Sequence, residues 1–193
     1  MMTVKRFVIF LIIWSTSVPL SVSAQSYYSL KEAKAIPPDS VFYLSLSRNK
    51  LSEIPSEIFI YTNLIGLDLS KNRFGAINPS ILGFKNLEIL NLSKNRFEVF
   101  PKILFKLENL RELRLGSNDL TYIPNSIYIC PKLEVLDMYN NPISTLGTGL
   151  NRSKSLIELD LRGLMYNSKK QSEIRDMLRG VEVLFDAPCN CTD

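Results

Sequence analysis

The chain has 193 residues, 46% of them hydrophobic and 22% charged, with a formal net charge of +4 and no histidine. Without His, the Ser-His-Asp, Cys-His and His-based metal sites are excluded together. The modest charge does not mark a nucleic-acid binder, and three cysteines are too few and the wrong parity for a disulfide framework.

Residues 1–24 read as a signal peptide. Lys5 and Arg6 form a positive start, and Phe7 to Trp14 is an apolar run of eight, too short to span a bilayer. Val22-Ser23-Ala24 then marks a cleavage point, so Gln25 opens the expected mature chain. No Cys follows the run, which argues against lipid modification. Loss of Lys5 and Arg6 leaves a mature charge of +2. The expected location is secreted, periplasmic or cell-surface, with no transmembrane segment in the mature chain. Residues 25–40 come next. In "SLKEAKAIPP", Ser29 and Glu32 stand at capping-box spacing, which predicts a helix ended by Pro37 and Pro38 and covering the open edge of the segment that starts at Val41.

Residues 41–166 repeat themselves. "LIGLDLSKNRF" begins at Leu64 and "LEILNLSKNRF" at Leu87, 23 residues later. Asn49, Asn72, Asn95, Asn118 and Asn141 keep that spacing, and the sixth place, 164, is Leu. Alternation puts Leu67 and Leu69 inward and Gly66, Asp68 and Ser70 outward. One such strand cannot bury its apolar face alone; stacked strands make a parallel sheet over one continuous core. The asparagines are expected to form a ladder that satisfies backbone groups where the chain leaves each strand. The return half also repeats, with columns such as Ile58, Ile81, Leu104, Ile127 and Leu150. Pro55, Pro101 and Pro124 predict irregular or 3₁₀ structure there, and Pro79, one place out of register, predicts a local shift in the second unit. Cys130 shares a column with Tyr61, Phe84 and Leu107, which predicts a small buried hydrophobe.

Residues 167–186 read as a helix, with Ile174, Met177 and Leu178 on one face and Gly180 as the stop, followed by a short strand in "VEVLF". Residues 187–193 form a tail holding Cys189 and Cys191, which could pair with each other, pair with another chain or stay free.

The frame L-x-x-L-x-L-x-x-N-x-L resembles the leucine-rich repeat. The resemblance implies an α/β repeat solenoid: a curved parallel sheet of six 23-residue units, with an N-terminal helical cap and a C-terminal helix–strand cap. With its export signal and prolines, the chain looks similar to small bacterial secreted members. Members of the wider family mostly act as protein-binding scaffolds and recognition modules through the concave sheet. With no histidine and no pocket visible in the sequence, neither enzymatic activity nor a cofactor is expected.

On that implied face the candidate partner-binding residues are Tyr43, Asp68, Ile89, Asn91, Glu112, Arg114, Asp137, Tyr139, Glu158 and Asp160. Ile89 and Val135 are apolar where solvent is expected, and Tyr43 and Tyr139 are typical contact residues. A second pattern lies in the loops: Arg48, Lys50, Lys71, Arg73, Lys94 and Arg96 form a basic edge. It reads either as ordinary solubility or as a site for an anionic partner such as an acidic glycan or lipid. A third reading gives Asp137, Glu158 and Asp160 to hydrolysis or calcium, although no pocket is visible in the sequence. "GTGLNRS" lacks the third glycine of a nucleotide loop. Asn91, Asn151 and Asn190 match the N-glycosylation pattern, which chance also produces.

Overall fold

The computed structural model describes residues 26–189. The expected signal peptide and the final residues 190–193 lie outside the described residues. In chain order the elements are β1 (Tyr28–Ser29), α1 (Leu30–Ala33), β2 (Tyr43–Ser45), β3 (Gly66–Asp68), β4 (Ile89–Asn91), β5 (Glu112–Arg114), β6 (Tyr122–Ile123), β7 (Val135–Asp137), β8 (Thr145–Leu146), β9 (Glu158–Asp160), α2 (Ser168–Met177) and β10 (Glu182–Leu184). Eight strands make one parallel sheet in the order β1-β2-β3-β4-β5-β7-β9-β10. β6 and β8 pair separately, in parallel, on the opposite side of the units.

The register follows the sequence period. Leu44, Leu67, Leu90, Leu113, Leu136 and Leu159 are aligned partners across six strands. All six are buried. Each strand is only three residues long, so its stability comes from what it covers. Fully burying one such side chain contributes about 1.5–3 kcal/mol. Behind the sheet, Ile58, Ile81, Leu104, Ile127 and Leu150 close the same core from five-residue 3₁₀ segments.

Those segments begin after Pro55, Pro101, Pro124 and Gly147. The second unit does not shift, as Pro79 had suggested. Its segment runs Pro79–Gly83 in the common register, with Asn78 in the capping place and its side chain accepting from the Ser80 N–H. Proline is tolerated at a first helical position because its missing N–H would have been unpaired there.

The asparagine ladder serves neighbouring units. Asn72 Oδ1 accepts from the N–H groups of Asn49 and Leu51, each at 3.0 Å, and its Nδ2 donates to Leu46 O at 2.8 Å and Leu69 O at 2.9 Å. Asn95, Asn118 and Asn141 accept in the same way from Phe74, Phe97 and Leu120. All four are buried. Asn49 differs from the ladder expectation. It is exposed and its side chain donates to Ser47 O, because the equivalent groups of a preceding unit are absent.

The ends depart from the middle. Ser29 and Glu32 form the expected capping box, but the helix is one turn, Leu30–Ala33, and stops before Pro37. β1 extends the sheet instead, pairing with β2. At the other end Asn167 caps α2, Ile174 and Leu178 are buried, and Gly180 has φ +89°. Gln171, unremarked in the sequence, is also buried and donates from Nε2 to Tyr166 O and Asp186 O. Arg175 lies over the Phe185 ring at 4.8 Å.

Cys130 is buried, and burial pushes its thiol up to about 11, as a structural cysteine requires. Cys189 is disulfide-bonded.

Candidate binding face

Two outward columns cross the large sheet. One runs Tyr43, Gly66, Ile89, Glu112, Val135, Glu158, Glu182; the other Ser45, Asp68, Asn91, Arg114, Asp137, Asp160, Leu184. A strand presents alternate side chains to one face, so the inward leucines dictate which residues stand here.

At the β1 end the face is aromatic. Tyr27 meets the Tyr43 ring edge-on at 5.5 Å between centroids. Gly66 makes this possible: a Cβ there would lie 2.5 Å from Tyr43 Cδ1 and 2.8 Å from the Tyr27 hydroxyl. Burial, reinforced by Glu112 and Asp68, pushes the Tyr27 phenol up to about 12. Tyr27 lies outside the repeat frame and was not among the residues expected here.

The second column has work within its own chain. Asp68, Asn91, Asp137 and Asp160 each accept, through Oδ1, the N–H two residues on: Ser70, Ser93, Tyr139 and Arg162. These side chains stabilise the exit from each strand, as short acceptors do in turns. Ser45 Oγ does the same for Ser47 and also donates to Asp68 Oδ2 at 3.0 Å. Arg114 is the exception; it is exposed and pairs with Glu112. Glu112 and Asp160, expected to be open to a partner, are both buried. Arg114 covers the first and Arg162 the second, with Arg162 Nη2 at 2.6 Å from Asp160 Oδ2.

The β9–β10 end is acidic. Burial first, and Asp160 with it, raises the Asp137 carboxyl; the hydrogen bond from the Tyr139 N–H, and after it Arg114 and Arg162, only partly offset this. Burial, Glu182 and Asp160 raise Glu158. Like charges opposed on neighbouring strands account for the repulsion. Among the described residues, no group of three or more His, Cys, Asp or Glu side chains is placed to hold a metal ion. Ile89 and Val135 are half-buried and Tyr139 is exposed.

The loops leaving the strands hold a conformation the sequence did not announce. Arg48, Lys71, Lys94, Ser117, Asn140 and Gly163, spaced 23 apart, all have positive φ, from 52° at Asn140 to 84° at Gly163. Lys50 joins them at 58°. Arg48, Lys50, Lys71, Arg73, Lys94 and Arg96 are all exposed.

A family model described as leucine rich repeat matches residues 40–97 and 85–143, together more than half of the chain. The chain belongs to the leucine-rich-repeat family. Among solved structures, a leucine-rich-repeat protein of Leptospira interrogans is 27% identical, with a TM-score of 0.61, the match covering 86% of this chain and 49% of that one. Internalin C2 of Listeria monocytogenes is 24% identical, with a TM-score of 0.60 and coverage of 76% and 62%. Internalin F of the same organism is 19% identical, with a TM-score of 0.58 and coverage of 79% and 43%. The chain thus spans roughly half the length of these leucine-rich-repeat structures, and with the internalins it shares the fold alone. No curated protein sequence matches it. Such domains typically serve as protein-interaction modules. No helix among the described residues is long and apolar enough to cross a membrane.

Proposed function

We propose that this protein is an exported, non-enzymatic recognition module that binds a protein partner through its concave sheet. The observation that carries the reading is the contrast within one register. The inward leucine column hardly varies, while the outward columns run from Tyr43 through Ile89 and Val135 to the acids of β9. A rigid grid with variable side chains suits recognition, and its aromatic and apolar members are the usual anchors. Export rests on residues 1–24. A hydrolase built on Asp137, Glu158 and Asp160 is less well supported. Asp160 is engaged by Arg162 and Asp137 by the Tyr139 N–H, so neither stands ready as a free acid or nucleophile.

The test places a photoreactive residue at 89, at 139 or, as a control, at Val99, which is 62% exposed and outside both outward columns. Crosslinking in the native host should give one protein adduct from 89 and 139, lost on Val135→Arg, and none from 99. Equal adducts from all three positions, or none from 89 and 139, would overturn the reading.

A further inference from the structure

Several exposed cations elsewhere on the described chain are matched by acids. Lys34 pairs with Glu57, Arg111 with Glu88 and Glu134, Arg162 with Asp160, and Lys170 with Glu173. Among the described residues, none of the six cations at the strand exits of the first three units takes part in such a pair; Lys31, Lys85, Lys102 and Lys106 lack one too, so what sets the six apart is their alignment. Their backbone holds them in line: the N–H groups of Arg48, Lys71 and Lys94 donate to Ser70, Ser93 and Gly116 of the next unit, at 3.2, 2.9 and 2.8 Å. Arg73 and Arg96 donate back to Leu51 and Phe74, at 2.7 and 2.8 Å. Two rows of positive charge therefore run along the solenoid axis with the unit repeat, about 4.8 Å per step.

Solubility alone does not account for these rows. Arg48, Lys50, Lys71 and Lys94 all adopt positive φ. That conformation costs a Cβ-bearing side chain about 1–2 kcal/mol and favours Gly or Asn. Later units use Ser117, Asn140 and Gly163 at the places equivalent to Arg48, Lys71 and Lys94. The fold imposes this conformation on every unit, so what the first three units add to it is a basic side chain where a less strained residue would serve. The row of Lys50, Arg73 and Arg96 ends at Asp119, where the sign of the charge changes.

We infer that this edge is a binding site for a linear acidic polysaccharide, separate from the concave sheet. A row of evenly spaced cations matches a chain of evenly spaced anions. Among the described residues, the apolar side chains that flank these segments are turned into the core: Leu46, Leu69, Phe74, Leu92 and Phe97 are buried and Leu51 packs against them, so the edge presents no apolar anchor. A membrane surface or a protein would call for such anchors at the site.

The experiment measures binding of the purified protein to heparin, to polygalacturonate and to vesicles containing anionic lipid over a range of salt concentrations. It compares Lys71→Gln/Arg73→Gln/Lys94→Gln/Arg96→Gln with a control of equal charge change, Lys102→Gln/Lys106→Gln/Lys132→Gln/Lys154→Gln. Circular dichroism checks that both fold. The edge variant should weaken binding by about tenfold or more and flatten the salt dependence, while the control stays near the parent. Equal loss in the two variants would reduce the effect to net charge and overturn the site. So would no binding to either polymer, or binding only to vesicles containing anionic lipid.

Discussion

Before the ladder asparagine, the first three units carry Arg48, Lys71 and Lys94, and the next three places hold Ser117, Asn140 and Gly163. The backbone is left-handed at all six, so the fold demands the conformation and is indifferent to the charge. On the sheet the contrast reverses: the early units present Tyr43 and Gly66, with Tyr27 of the preceding segment against them, and the later ones the acids Asp137, Glu158 and Asp160. Shape in this molecule is set by the side chains that point inward and by the turns. Surface character is set unit by unit, and the two halves can diverge without disturbing each other.

Substitutions can probe where that independence fails. The largest effect is expected at Gly149, where a Cβ would lie 1.7 Å from Asn125 O; at Gly83 nothing lies within 4 Å. Gly149→Ala should cost about 3 kcal/mol in urea unfolding, and Gly83→Ala should be near neutral. Next comes the ladder. Asn95→Ala removes the acceptor for the Phe74 N–H and should cost about 1–3 kcal/mol, whereas Asn49→Ala, exposed at the start, should cost less than about 0.5 kcal/mol. Equal costs would mean the ladder is not what joins the units.

A smaller effect concerns the acidic end. The folded-state pKa values of Asp137 and Glu158 are raised, chiefly by burial. Their contribution to stability is fully present below the ordinary carboxylate pKa and is lost as pH rises through the raised values. Asp137→Asn keeps an acceptor for the Tyr139 N–H and removes the charge. It should raise the melting temperature at pH 7, and the gap should close as pH falls through the carboxylate range. The smallest effect tests the loops: Lys71→Gly or Lys94→Gly should stabilise by about 0.5 kcal/mol, because glycine relieves the positive φ but loses more entropy on folding. Clear destabilisation would show that the lysine stems pack usefully.

The period, the inward leucines and the 3₁₀ return were legible because each depends on spacing or on proline chemistry within one unit. The capping box at Ser29 was legible for the same reason, but the length of its helix was not, since pairing of Tyr28–Ser29 with β2 takes over the segment. On the face, Tyr27 was hidden because it belongs to no repeat column. The burial of Glu112 and Asp160 depends on arginines two residues along folding back over them. Asp68 and Asn91 looked like contact residues, yet each binds a backbone N–H of its own chain. A short acceptor two residues before a turn was the available signal. The left-handed column was masked because Lys and Arg are poor markers of positive φ.

The ladder has a direction. Every buried asparagine completes the turn of the unit before it, and where Leu164 replaces the next asparagine, the Ile143 N–H bends back to Asn141 O at 2.8 Å while the Tyr166 hydroxyl donates to Ile143 O at 3.1 Å. Each such turn therefore needs the following repeat before its polar groups are satisfied within the protein. A chain cut after any one repeat would leave the polar groups of its last turn to solvent, whereas the Tyr166 hydroxyl helps to close the last turn here.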